Sequence, residues 1–290
     1  MSNSSHSIHE EFRAARDLLL RYRADQLTAR RAFRWPRLTT FNWAIDWFDV
    51  IARSNDRIAL QVATAHGDNK VTFDWLSRRS DQVASWLRNN GIVRGDVVMV
   101  LLDNRIELWE LMLALIKIQA IIAPTFTTIS RGELHARIDR TQARHVIADS
   151  LITPHLSLED SQLTKIAVGP ESAGWLNYAD SYRHNTSFAP EGSTLANEPL
   201  FYYFTSGTTS RPKLVVHTHV SYSVGHLSSM YWNGLRPGDI HFNVSAPGWA
   251  KYPWSSLFAP WNAEATIPIN GHKVRHCGPS TKSSPHPLSD

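Results

Sequence analysis

Phe201-Tyr202-Tyr203-Phe204-Thr205-Ser206-Gly207-Thr208-Thr209-Ser210-Arg211-Pro212-Lys213 is the stretch on which the reading of this 290-residue chain turns. Its first part is aromatic and β-forming, so residues 200–204 read as a strand. Its second part is a loop dense in hydroxyls, with one glycine and a lysine. Such a loop suits phosphate oxygens. Hydroxyls and backbone N–H groups donate, glycine lets the backbone come close, and lysine adds a point charge. It is not a Walker A loop, because counting that pattern from Gly207 puts Pro212 at the second glycine and Leu214 at the Ser/Thr position. By composition alone a Ser/Thr-rich surface turn would serve equally.

Outward from the loop, strands and helices alternate. Residues 58–64 and 70–73 read as a hairpin around His66-Gly67-Asp68-Asn69. Asp74 is the expected N-cap of a helix whose apolar face is Trp75, Leu76, Val83, Trp86 and Leu87, closed by Gly91. Residues 97–102 form a continuous apolar run, suited to a strand buried on both faces. A buried helix is expected over 105–120, strands over 121–124, 144–148 and 165–168, and a helix over 133–141. Residues 171–198, rich in Ser, Asn, Gly and Pro, read as a surface connection. Beyond the loop the pattern predicts a helix from 218 to 232 and a strand over 240–244. A helix over 254–261 and a strand over 265–269 follow. Alternation at this spacing requires crossover connections, which gives an α/β fold of layered, mostly parallel sheets flanked by helices.

The composition, 42% hydrophobic and 19% charged, excludes intrinsic disorder. The longest apolar stretch, 108–123, is interrupted by Glu110, Lys117 and Gln119, so no membrane span is expected. The N-terminus lacks the apolar core of a secretory signal, and the single Cys277 fits a reducing cytoplasm. The net charge of +4 argues only weakly for nucleic acid, which is not expected as a partner. Residues 8–34 are Arg-rich, with Phe12, Leu19, Leu20, Tyr22 and Leu27 at helical spacing. They predict a helical extension over 1–34 that packs on the main body rather than on a membrane surface. His217 and His219 lie two apart with no Cys or carboxylate cluster, so no metal site is assigned.

The order of residues in the loop resembles the T-S-G-[ST]-T-G-x-P-K signature of the adenylate-forming superfamily, which includes acyl-CoA synthetases. Ser210 departs from it, where the signature has glycine. The resemblance implies that Thr205, Ser206, Gly207, Thr208 and Thr209 wrap the phosphates of ATP and that Lys213 holds the pyrophosphate end. A second segment, Ser245-Ala246-Pro247-Gly248-Trp249-Ala250-Lys251-Tyr252-Pro253-Trp254, resembles the D-x-G-W segment of the acetyl- and medium-chain branch, with Ala246 at the often acidic position. There it lines the carboxylate pocket, which implies pocket roles for Gly248, Trp249, Ala250 and Trp254. Physically, Trp249 and Trp254 offer rigid apolar walls, although core packing would also account for them.

The resemblance covers about residues 35–270 as part of a nucleotide-binding domain. It implies ATP, Mg2+ and CoA as cofactors of the complete enzyme and a small carboxylic acid as substrate. No Y-G-x-T-E or T-G-D segment is present, and no catalytic residue is assigned. Residues 271–290 are expected to be a disordered or out-of-frame tail. The chain is therefore expected to be the N-terminal part of an acyl-CoA synthetase, inactive alone. It would pair with a C-terminal half or a second copy, or else serve as a non-catalytic nucleotide- or acyl-binding module. An uncovered apolar face and an unpaired sheet edge are expected at its end.

Overall fold

The central strand of the main sheet, β3 (Val97–Leu101), is buried throughout, and its residues point alternately into two cores. Val98 and Val100 join one core, while Val97, Met99 and Leu101 join the other. This is the period-two alternation of a strand covered on both faces, and it explains the unbroken apolar run. The computed structural model describes residues 4–64, 67–159, 162–185, 187–205 and 212–270; the expected tail over 271–290 lies outside them.

The chain begins with α1 (Ser4–Arg21) and α2 (Gln26–Ala32), and a π-helical turn leads into α3 (Asp49–Ala52). β1 (Ile58–Thr64) and β2 (Gly67–Thr72) pair antiparallel, and α4 (Phe73–Asn89) follows. After β3 come α5 (Ile106–Lys117), β4 (Ile121–Pro124), α6 (Arg131–Thr141), β5 (His145–Asp149), α7 (Thr153–Leu156), β6 (Thr164–Val168) and β7 (Leu176–Asn177). The second part contains β8 (Pro199–Thr205), β9 (Lys213–Thr218), α8 (Leu227–Trp232), α9 (Lys251–Pro253), α10 (Ala259–Asn262) and β10 (Ile267–Asn270). The seven-stranded sheet has the order β7-β6-β5-β3-β4-β8-β9, parallel except for β9. A second, three-stranded sheet has the order β10-β1-β2, with β10 parallel to β1.

Local signals explain several boundaries. Gly91 has φ +83°, and its N–H bonds Arg88 O at 3.0 Å while the Ile92 N–H bonds Leu87 O at 3.1 Å. That closes α4 as the sequence predicts. α5 is buried along nearly its whole length, including Glu110 and Lys117. Lys117 Nζ pairs with Asp81 at 2.7 Å and Asp49 at 2.8 Å, and Glu110 meets Arg79 at 3.1 Å. The charges that interrupt the apolar run therefore bind α5 to α3 and α4. No helix among the described residues is long and apolar enough to cross a membrane. Phe12 and Leu19 of α1 are buried in the main core, so this helix packs on the body.

Several expectations are corrected. The N-cap of α4 is Thr72, whose side chain accepts from Trp75 N–H; Asp74 lies in the first turn, accepts from Ser54 N–H and pairs with Arg78. Gly67, Asp68 and Asn69 are strand residues rather than turn residues, since β2 pairs back to Thr64. The 171–198 connection carries β7 and a 3-10 turn that buries Tyr178. Residues 213–218, given no element in the sequence reading, form strand β9, where Val215 and Val216 favour extended backbone, and the helical stretch follows from about Thr218 as expected. β10 does not continue the sheet of β8 but pairs with β1. Residues 240–244 make no strand beyond a bridge from Ile240 to Thr266. Their apolar side chains point outward, with Ile240 at 68%, Phe242 at 60% and Val244 at 80% exposure. Polar Asn243 instead reaches inward to Ser256 Oγ at 3.0 Å.

Candidate nucleotide and carboxylate site

The carboxyl ends of β3, β4 and β8 meet at one edge of the parallel sheet, the place where open α/β sheets form clefts. β8 is held between β4 and β9. Ile122 pairs with Phe201, and Thr205 faces Lys213 across the antiparallel pair. The hydroxyl-rich stretch is thus the connection of a β-hairpin closed by Thr205 and Lys213. Ser206, Gly207, Thr208 and Thr209 lie outside the described residues. Alternation along β8 buries Phe201 and Tyr203 in the main core and leaves Tyr202 and Phe204 half-buried toward α6.

Lys213 is exposed and makes no ion pair among the described residues. It borders a cavity of about 880 Å³ shared with Phe204, Pro212, Arg137 and Arg140. The Arg137 and Arg140 guanidinium carbons stand 4.8 and 5.8 Å from the Phe204 ring centroid, a cation–π arrangement. Arg140 also donates to the Pro212 carbonyl, and Arg137 pairs with Glu133 at 2.5 Å. Three cations, Lys213, Arg137 and Arg140, therefore border this cavity together with the carboxylates of Glu133 and Asp139. Arg137 and Arg140 escaped the sequence reading because two arginines three apart on a polar helix face look like a solvated surface. Their only signal was their place on the helix after β4. The Lys213 ammonium and the α6 guanidinium groups are donors of the kind that polyphosphate takes, and Thr205 stands opposite Lys213 on the paired strand.

The second segment is anchored beside this edge. Tyr252 Oη donates to Asn104 Oδ1 at 2.5 Å just beyond β3, and Trp109 Nε1 donates to Ser256 O at 2.7 Å. The Ala250 carbonyl accepts from Tyr222 Oη. Gly248 has φ +101°, and a Cβ there would stand 2.9 Å from the backbone nitrogen of Phe126. Phe126 follows β4 and packs edge-on to Trp249, with centroids 5.4 Å apart. Trp249 is 58% exposed. The close approach leaves no room for a side chain at Gly248 and aims Trp249 at the end of β4, next to β8. Gly248→Ala is expected to destabilise the chain by about 1–3 kcal/mol through strain at positive φ. The check is a lower urea midpoint together with altered fluorescence of Trp249.

Trp254 sits elsewhere. It stacks on His226 at 5.8 Å and lines a groove beneath α2 and α8. Trp249 does not line that groove, so the two tryptophans are not walls of one cavity there. Behind Trp254 lies a buried aromatic layer in which Tyr222 contacts His217 at 4.7 Å and His226 at 4.5 Å. Burial lowers the pKa of His226 to about 3, with help from His217. His219 is fully buried, and burial with a contribution from Arg94 lowers it to about 3 as well. Among the described residues no three potential metal ligands stand together.

Comparison with known proteins adds to this geometry. The family model described as AMP-binding enzyme matches residues 47–274. The chain is 32% identical over 236 residues to 4-hydroxybutyrate–CoA ligase 1 of Metallosphaera sedula, covering 79% of this chain and 41% of that protein. It is 31% identical over 203 residues to the mitochondrial acyl-coenzyme A synthetase ACSM3 of Rattus norvegicus, covering 68% of this chain and 35% of that one. The fold matches the anthranilate CoA ligase AuaEII in complex with anthranoyl-AMP, with a TM-score of 0.71 and 21% identity over 80% of this chain and 45% of that one. It also matches acetoacetyl-CoA synthetase from Streptomyces lividans, with a TM-score of 0.73 and 21% identity over 82% of this chain and 39% of that one. The chain spans between about a third and two fifths of the length of these curated relatives.

Proposed function

The chain belongs to the AMP-binding enzyme family, and on that premise we propose that it is the ATP-phosphate- and carboxylate-binding portion of an acid–CoA ligase. In the whole enzyme a substrate carboxylate oxygen would attack the α-phosphorus of ATP and expel pyrophosphate; the CoA thiol, losing its proton, would then attack the acyl carbon of the acyl-adenylate, forming the thioester and releasing AMP. The observation that carries the reading is the hairpin mouth, where Thr205 and Lys213 face one another beside Arg137 and Arg140. Charge on a leaving pyrophosphate is neutralised best by fixed cations of this kind. Within the proposal, Thr205, Ser206, Gly207, Thr208 and Thr209 hold phosphate oxygens and Lys213 meets the terminal phosphates. Mg2+ would share that charge when bound. Gly248, Trp249 and Ala250 border the acid, and Trp254 supports this segment from behind. Residues 35–270 form the working part, with 1–34 as a helical extension. The single cysteine agrees with a reducing cytoplasm.

ATP–pyrophosphate exchange by the purified chain, with Mg2+ and carboxylates from acetate to decanoate and benzoate, tests the proposal. Carboxylate-dependent exchange that falls at least about 100-fold in Lys213→Ala is expected if adenylation resides here. If the chain only binds, ATP should still bind, and Lys213→Ala should weaken it by about 10-fold or more, the worth of one charge-assisted contact. A folded chain with neither exchange nor ATP binding would reject the assignment.

A further inference from the structure

The arginines of this chain are unevenly placed. Residues 21–37 hold Arg21, Arg23, Arg30, Arg31, Arg34 and Arg37 against one acidic residue, Asp25, in a chain whose net charge is only +4. This short segment accounts for all of the positive excess. Asp25 is engaged in capping α2, accepting from Thr28 N–H at 2.9 Å. Arg34 donates to the carbonyls of Arg31 and Phe33, which leaves its charge uncompensated. Arg21, Arg23, Arg30 and Arg31 make no ion pair among the described residues.

Apolar side chains stand exposed among these cations. On α2, Ala29 is buried against the body, while Leu27 is 69% exposed on the outward side with Arg30 and Arg31. Trp35 is 51% exposed and Trp232, at the end of α8, is 86% exposed. Arg23, Arg30, Trp35 and Trp232 share the rim of one groove of about 750 Å³ that has no acidic residue in its lining. Except for Trp232, these residues precede residues 47–274, the stretch that the family model matches.

We propose that this face docks on an anionic lipid surface, with the arginines against headgroups and Leu27, Trp35 and Trp232 in the interfacial layer. Clustered arginines beside protruding tryptophan and leucine are the chemistry of interfacial binding. Each cation near a negative bilayer adds attraction, and indole rings settle at headgroup depth. A nucleic acid would meet the same arginines. The aliphatic Leu27, exposed on the same side as Arg30 and Arg31, favours lipid, because it offers a base neither a plane nor a hydrogen bond. Packing of α1 through Phe12 and Leu19 holds the face rigid on the body. The proposal uses no residue of the β8–β9 hairpin and stands apart from the reading of that site.

Co-sedimentation of the full chain with vesicles tests it. Equimolar phosphatidylglycerol and phosphatidylcholine vesicles should bind the chain, pure phosphatidylcholine vesicles should not, and high salt should release it. Arg30→Glu/Arg31→Glu should weaken binding by at least about 25-fold, about fivefold for each arginine lost. Trp232→Ser should weaken it while leaving the salt dependence intact. The exposed, unpartnered arginines predict an unchanged thermal transition for the charge-reversal variant. If it melts early, Arg23→Glu gives the same reading. Equal binding to both vesicle types, or binding indifferent to charge reversal, overturns the proposal. So does a single-stranded RNA oligomer that binds through the same arginines more tightly than the vesicles do.

Discussion

Glu110→Ala is expected to destabilise the chain by about 3–5 kcal/mol, the usual consequence of stranding one partner of a buried ion pair. Glu110 is fully buried on α5, and its Oε2 accepts from Arg79 Nε at 3.1 Å and from Tyr178 Oη at 2.5 Å. Arg79 is itself 5% exposed, lies 3.6 Å from the Tyr182 ring centroid and donates to Ser181. Burial raises the carboxyl pKa of Glu110, and the nearby Arg79 works against that rise. Removing the carboxylate leaves the buried Arg79 guanidinium without its ion-pair partner in the seam between α4, α5 and the 178–183 turn. A loss of that size is comparable with the whole stability of many domains, about 5–15 kcal/mol. Urea unfolding followed by circular dichroism decides it. A midpoint unchanged from the parent would mean that water reaches Arg79 freely and that the seam is not closed.

Acidification should destabilise the chain from pH 6.5 downward, before most carboxylates titrate. His219 and His226 are held near a pKa of about 3 by burial, while an unfolded imidazole titrates near its ordinary 6.5. Between these limits the unfolded chain binds more protons than the folded one. Stability is therefore full above pH 6.5 and falls as the pH drops. Each imidazole contributes about 1.4 kcal/mol per pH unit, so the pair removes about 4 kcal/mol by pH 5. Both ring nitrogens of His219 lack a hydrogen-bond partner among the described residues, whereas His226 keeps one contact, Nδ1 to Ser229 Oγ at 3.1 Å. Urea midpoints at neutral pH and about pH 5 give the slope. His219→Gln/His226→Gln should flatten it; a slope that survives in this variant would assign acid sensitivity to other groups.

How far the sequence is legible differs between the sheet and the site. Val97–Leu101 was readable because a strand buried on both faces has no polar face to disguise it, and Gly91 because positive φ at a helix end favours glycine. β9 was missed because Leu214-Val215-Val216 runs without a turn signal into the helical stretch after Thr218. The 240–244 segment failed for the opposite reason. Its alternation is that of a strand, yet it faces apolar residues outward, and periodicity alone cannot say which side is in. At the site, the hydroxyl loop was found by the order of its residues, whereas Arg137 and Arg140 join it only through the packing of α6 on Phe204. Trp249 and Trp254 enter the reading together through the resemblance of their segment to the D-x-G-W segment and the rigid apolar walls both offer. The first ends a loop against Phe126 and the second lies on the following helical turns, so five residues of chain carry them to different surfaces.

The parallel pairing of β1 with β10 has a consequence for how the chain comes into being. Leu60 meets Ile267 across roughly two hundred residues of chain, and the same span separates Trp47 from the Trp261 carbonyl it bonds and Trp43 from the Asn262 side chain. At about 5–20 residues per second, the first hairpin and its aromatic neighbours wait roughly ten to forty seconds on the ribosome for their partners. During that interval Trp43 lacks Phe258, and Phe48 and Phe73 lack Trp261. The late arrival of β10 makes the nascent chain a species that gains from a chaperone's protection.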